Sequence, residues 1–189
     1  MKIVITSIVV AVILALIFSL PVLADSTGEV TITMDTESVM AITLSQTNWP
    51  IGNVSSNTEH MTSPAATWCT ITNAGNANVN IYIQGKDAQW LGQPVNTYKW
   101  TLSNDGTNGD HRYVLWYHIA NDTADSYTLI TKEELPMTHV KDDSPLDGSP
   151  LNLSAHGDYA QFGLKLLTPT FFYGGRQMET HITISAVAA

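Results

Sequence analysis

One cysteine, Cys69, stands in 189 residues. A lone thiol cannot form an internal disulfide framework, so this chain holds its core without staples. A β-domain of this length buries enough surface to do so. Charge is scarce too. Asp, Glu, Lys and Arg make up 13% of the chain, and the net charge is −9. The eight Lys and Arg are scattered, which excludes nucleic acid as a partner, because phosphate neutralisation needs clustered cations. Apolar residues reach 44%, too many for a disordered acidic chain. No long stretch carries helical periodicity, no internal repeat is present, and no linker is rich enough to split the chain.

The chain opens on a targeting segment. Lys2 supplies a short positive region, and Ile3 to Leu20 is an almost uninterrupted apolar run. Pro21 breaks it, and Val22-Leu23-Ala24 has the small and modest side chains that a signal peptidase reads. Residues 1–24 therefore read as a signal peptide, cleaved before Asp25, with one domain over 25–189. Loss of Lys2 would take the net charge from −9 to −10. A retained leader would instead anchor the chain, since the run approaches the ~20 residues of a membrane span. Either way the protein is expected to be secreted or held at the cell surface.

What the chain does contain is β-pattern, clearest from Trp68 to Gly85. Cys69 and Ile71 alternate with Thr70 and Thr72; Val79, Ile81 and Ile83 alternate with Asn78, Asn80, Tyr82 and Gln84. That is period two with one apolar face. Asn73-Ala74-Gly75-Asn76 lies between the runs, and its residues tolerate the positive φ of a hairpin turn. An antiparallel hairpin is the expectation. Cys69 then shares a face with Ile71 and reads as a small buried hydrophobe.

Other runs repeat the pattern. Val30, Ile32 and Met34 alternate with polar residues, Asp35-Thr36-Glu37-Ser38 interrupts them, and Met40, Ile42 and Leu44 resume the face. Asn53 to Pro64 and Gly85 to Pro94 read as irregular. Tyr98–Leu102 is a strand, and Asn104–Asp110 is a strong turn. His111–Ile119 is apolar on both parities, as in a central strand covered on both sides. Ser126–Ile130 is a strand, Lys132–Pro136 at most one helical turn, Lys141–Pro150 a polar loop, and Leu151–Leu153 an edge. Tyr159–Leu167 points Phe162, Leu164 and Leu166 inward. Glu179–Val187 closes the chain with Ile182, Ile184 and Ala186 inward. About eight to ten short strands without helix predict an all-β fold: a single antiparallel β-sandwich, immunoglobulin-like or jelly-roll-like.

Candidate chemistry is sparse. Asp105 and Asp110 share one loop, and Asp142 and Asp143 another; these are the calcium candidates, since calcium takes hard oxygens from such loops. No EF-hand spacing is present, and Asx residues also build plain turns, the preferred reading. The six histidines include no HExxH pair. No nucleophile elbow or pre-activated constellation appears, so no catalytic residue and no cofactor are expected. Asn53, Asn121 and Asn152 each begin a glycosylation sequon. Five tryptophans, with Phe171-Phe172-Tyr173, form the richest feature; exposed on a sheet they would offer a platform to a sugar ring or a partner subunit.

The runs ITNAGNANVNIYIQG, FGLKLLTPT and THITISAVA together resemble secreted immunoglobulin-like β-sandwich domains of prokaryotic surface proteins. The leader followed by a β-rich sandwich is similar to TasA-type biofilm fibre subunits and to pilins that assemble by donor-strand exchange. Trp100-Thr101-Leu102 resembles the first element of WxL cell-wall-binding domains, although the chain ends in Ile184-Ser185-Ala186-Val187 where a second would be expected. The resemblance implies a non-enzymatic structural or adhesion protein, a fibre or pilus subunit of the biofilm matrix kind, and carries over no catalytic residue. Its partners would be other copies, joined head to tail through Val30, Ile32 and Met34, or other surface proteins. The alternative is a carbohydrate-binding module whose partner is a glycan. Membrane contact would come only through an uncleaved leader.

Overall fold

The computed structural model describes residues 33–34, 37–62, 67–94, 98–123, 126–140 and 148–189. The chain divides into two units, 1–36 and 37–189. Of the first, only Thr33 and Met34 are described, and both are exposed. The leader, Val30, Ile32, Asp142 and Asp143 lie outside the described residues.

The described residues of the second unit are all-β, without a helix, and form two sheets. The smaller is built on β4 (Val79–Gly85), whose Val79, Ile81 and Ile83 are buried while Asn80, Tyr82 and Gln84 are half-buried. On one side β4 pairs along its whole length with β13 (Ile182–Ala188). On its other side it pairs with β10 (Asn152–Leu153) and β9 (Leu135–Pro136). The larger sheet is centred on β11 (Tyr159–Leu167) and β7 (Arg112–Ile119), antiparallel from Phe162↔Ile119 to Leu167↔Val114. Beyond β11 lie β3 (Cys69–Asn73) and β1 (Ile42–Leu44), with β2 (Glu59–Met61) on the far half of β11. Beyond β7 lie β6 (Lys99–Leu102), β5 (Ala88–Trp90) and β12 (Met178–Glu179), with β8 (Thr128–Leu129) on the other half of β7.

Both sheets feed one core. Ile71 of β3, Ile81 of β4, Tyr113, Leu115 and Tyr117 of β7, and Phe162 and Leu166 of β11 are buried together. Ile182, Ile184 and Ala186 of β13 pack on it half-buried. The inward sets expected for β4, β11 and β13 are the ones found. β7 is central, as its double-sided apolar pattern requires. Its inner face is core, and on its outer face Val114 is buried while Trp116 and His118 are half-buried under Lys165, Trp68 and Tyr127.

The hairpin expected at 73–76 does not form. β3 and β4 belong to different sheets, and the segment between them crosses from one to the other. None of residues 73–76 takes a positive φ. Asn73 fixes the crossing. It is fully buried, its Nδ2 donates to the carbonyls of Ala77, Leu153 and Ser154 at 2.8, 3.1 and 3.0 Å, and its Oδ1 accepts from Gly75 N–H at 3.0 Å. Gly75 is needed for space, because a Cβ there would sit 2.2 Å from the Val39 carbonyl oxygen.

Other expectations are corrected in detail. β2 and β5 arise inside segments read as irregular, because ladder hydrogen bonds need no apolar pattern. Lys132–Pro136 is not helical; it ends in β9, where a proline is tolerated on a sheet edge. The closing run splits into β12 and β13, on different sheets. The larger sheet is not wholly antiparallel, since Thr101 and Leu102 of β6 pair parallel with Arg112 and Tyr113 of β7. Cys69 packs on the core at the start of β3 but is only half-buried, its Sγ 3.4 Å from the Gln46 carbonyl oxygen.

Candidate functional site

Two features of the second unit combine exposure with unusual order. One is a strand edge, the other a cleft at the opposite end of β13.

The hydrogen-bond pattern of β4 defines the edge. Ile81 N–H donates to Leu151, Met137 N–H donates to Ile81, and Gly85 N–H donates to Thr131. The odd residues of β4 thus bond away from β13. By antiparallel alternation its even residues bond toward β13, where Asn80, Tyr82 and Gln84 face Val187, Ser185 and Thr183. The backbone groups of Ile182, Ile184 and Ala186 therefore point to the outer edge, where no described strand pairs. Their side chains face the core yet stay half-buried, with no described strand covering them from that side. The edge is seven residues long and carries neither charge nor proline. Ser185 and Glu134 share a hydrogen bond on the outer face of this sheet.

The chain around Glu37 is fastened beside the sheet crossing. Val39 N–H donates to Asn76 Oδ1 at 2.6 Å, Asn76 Nδ2 donates to the Glu37 carbonyl at 2.8 Å, and Ala74 N–H donates to the Ala41 carbonyl at 2.8 Å. Glu37, part of the Asp35-Thr36-Glu37-Ser38 interruption, is thus held by its carbonyl. The C-terminal end of β13 is tied to the same crossing, with Ala189 N–H donating to Asn78 at 3.1 Å.

The cleft lies where β4 turns into β5, beside the β12–β13 connection. It encloses about 480 Å³ and is open to solvent. Its floor is pinned twice. The Lys86 carbonyl accepts from the phenol of Tyr113 and from the Thr180 hydroxyl, whose oxygens are 2.7 Å apart. Burial pushes the Tyr113 phenol far above its usual range; the Asp87 charge adds to this and the Thr180 hydrogen bond opposes it. Asp87 accepts from Lys132 Nζ at 2.6 Å, from Lys99 Nζ at 3.0 Å and from Leu102 N–H at 2.9 Å. Burial raises the Asp87 carboxyl, but those hydrogen bonds and the Lys132 charge outweigh it and hold the group below the usual carboxylate range. Trp90 borders the cleft. The Arg176 guanidinium lies 4.9 Å from the Trp90 ring centre, 4.2 Å from Tyr98 and 5.1 Å from Tyr173, so the indole is held by its neighbours.

The remaining candidates disperse. Asp105 binds the Ser103 hydroxyl at 2.7 Å and Thr107 N–H at 2.9 Å, and these hydrogen bonds, the Ser103 one foremost, lower its carboxyl. Asp110 accepts from the Thr170 hydroxyl at 3.1 Å. Among the described residues, no three His, Cys, Asp or Glu side chains gather as metal ligands. Asn53 and Asn121 are exposed in loops; Asn152 is exposed in β10 and donates to Asn80 Oδ1 at 3.1 Å. Met34 is 82% exposed.

The tryptophans form no exposed row. Trp100 is buried and Trp49 packs on the core. Trp68 lies over Gly163 and against His118, and Trp116 lies under Lys165. Trp100 and Leu102, the apolar pair of the Trp-x-Leu element, are both core residues. The β13 edge had no sequence signal of its own, since Ile182–Ala188 reads alike as an edge or a central strand. The cleft was missed because Lys86, Gln89, Trp90 and Gln93 sit in a segment read as irregular, and Gln84, Lys132 and Glu179 reach them from three other segments only in the fold. Compared with known proteins, the chain matches no protein-family model and no curated sequence.

Proposed function

We propose that this protein is a non-enzymatic structural or adhesion protein of the cell surface, exported through its apolar leader, whose copies assemble head to tail into fibres. Its two sheets are read as the layers of one sandwich, immunoglobulin-like or jelly-roll-like, in keeping with their common core. The observation that carries this reading is the outer edge of β13. A long uncharged edge is a template for another strand unless it is blunted by Lys, Pro, a bulge or an inward charge. Ile182–Ala188 has none of the first two and no charge.

The donor is the segment Glu29–Met34. Its backbone would pair with Ile182, Ile184 and Ala186 of a neighbour, and Val30, Ile32 and Met34 would cover their half-buried side chains. Val30, Ile32 and Met34, if fully buried there, contribute about 1.5–3 kcal/mol each. The twelve residues 25–36 precede the fastening at Glu37 and reach about 40 Å when extended. A contact of this kind does not close on itself, so it gives filaments.

Two variants test the reading by electron microscopy and light scattering. Deleting residues 25–34 should leave a folded protein that no longer polymerises and that binds a synthetic Glu29–Asp35 peptide. Ala186→Pro removes one outward N–H and none of the ladder to β4, so it should keep the melting temperature and block assembly. A full-length mature protein that stays monomeric at high concentration, or an Ala186→Pro variant that assembles normally, would refute the fibre reading.

A further inference from the structure

The cleft beside Trp90 serves no purpose in strand exchange, and we propose that it binds a neutral saccharide. Its volume of about 480 Å³ lies within the range of small-ligand sites. Its chemistry narrows the class. Trp90 and Leu91 give it an apolar wall, while Gln84, Gln93, Glu179 and His181 surround that wall with donors and acceptors. An anion would face Glu179 and Asp87, and a cation would face Lys86 and Lys132. A wholly apolar ligand would leave the Gln93 amide without a partner, whereas Gln84 Nε2 keeps its bond to the Lys132 carbonyl at 2.7 Å. A sugar ring meets all of these demands. Its C–H face lies on an indole, and its hydroxyls both donate and accept without needing net charge.

The site is also set in place beforehand. Arg176 stacks on Trp90 from beside the β12 strand. Asp87 gathers Lys99, Lys132 and the backbone of β6 beneath it, and the Lys86 carbonyl ties the β4–β5 turn to Thr180 and Tyr113. Little order has to be imposed when a ligand arrives, which lowers the cost of binding. This inference does not rest on assembly, and its readout is heat of binding, not polymer length.

Isothermal titration of the mature protein with the β-1,4-linked trisaccharides of glucose, N-acetylglucosamine and mannose tests it. At least one should give a saturable isotherm with Kd on the order of 1 mM or tighter. Trp90→Ala should weaken that binding at least about tenfold, a loss of roughly 1.4 kcal/mol. Trp90→Phe should retain most of it, and Trp116→Ala, on the outer face of β7, should leave it unchanged. If Trp90→Ala fails to fold, Gln93→Ala and Glu179→Gln, both exposed at the rim, should each weaken binding. Absence of binding by all three sugars, or wild-type affinity in the Trp90 and rim variants, would overturn the proposal.

Discussion

Replacing Asn73 by alanine tests the crossing between the sheets. The side chain is fully buried; its two amide N–H protons are shared among the carbonyls of Ala77, Leu153 and Ser154, and its Oδ1 accepts from Gly75 N–H. Truncation leaves those backbone groups without their partner. A net loss near 1 kcal/mol for each of these three protons gives about 3 kcal/mol. In a chain of this size that lowers the melting temperature by about 10 °C. It is also a large part of the 5–15 kcal/mol typical of a whole domain. Urea unfolding should show the midpoint falling with the slope unchanged. Asn73→Asp separates hydrogen bonding from shape. It keeps an acceptor for Gly75 but turns a carboxylate toward three carbonyl oxygens, so at neutral pH it should cost at least as much as alanine. Its penalty should shrink in acid, where the protonated group regains one donor. A cost below about 1 kcal/mol for Asn73→Ala would refute the argument, because carbonyls that lose a buried partner so cheaply would have to be reached by water.

Asp87→Asn should destabilise by about 1–2 kcal/mol at pH 7, an estimate kept low because Lys99 and Lys132 are partly solvated. The Asp87 carboxyl is held below its usual range in the folded protein, so its stabilisation is complete above the unfolded value of about 3.9 and is lost as pH falls through the lower folded value; wild-type and variant stabilities should converge below about pH 4, and curves that stay parallel into that range would contradict the assignment. Gly163→Ala places a Cβ 2.6 Å from Trp68 Nε1 and 3.0 Å from Thr62 Oγ1, so it should displace the indole, shift its fluorescence to the red and cost about 1–3 kcal/mol; an unchanged spectrum with unchanged stability would show that Trp68 does not pack there.

The faces of the long strands could be read directly. Val79, Ile81 and Ile83, then Phe162, Leu164 and Leu166, then Ile182, Ile184 and Ala186, turn inward as their spacing says. Alternation is a local property of an extended chain, so the side chains record which face meets the core whatever strand lies alongside. Pairing leaves no such record. The ladder is made by backbone groups that every residue carries, between positions far apart in the chain. Nothing in Asn73-Ala74-Gly75-Asn76 distinguishes a turn within one sheet from a crossing between two. The difference lies in Leu153, Ser154 and Val39, which reach the crossing only after folding. Glu59–Met61 becomes β2 only because Lys165–Leu167 offers it an edge. For the same reason Ile182–Ala188 announces a strand with one apolar face, while only the tertiary structure shows that among the described strands it pairs with β4 alone, on one of its two sides.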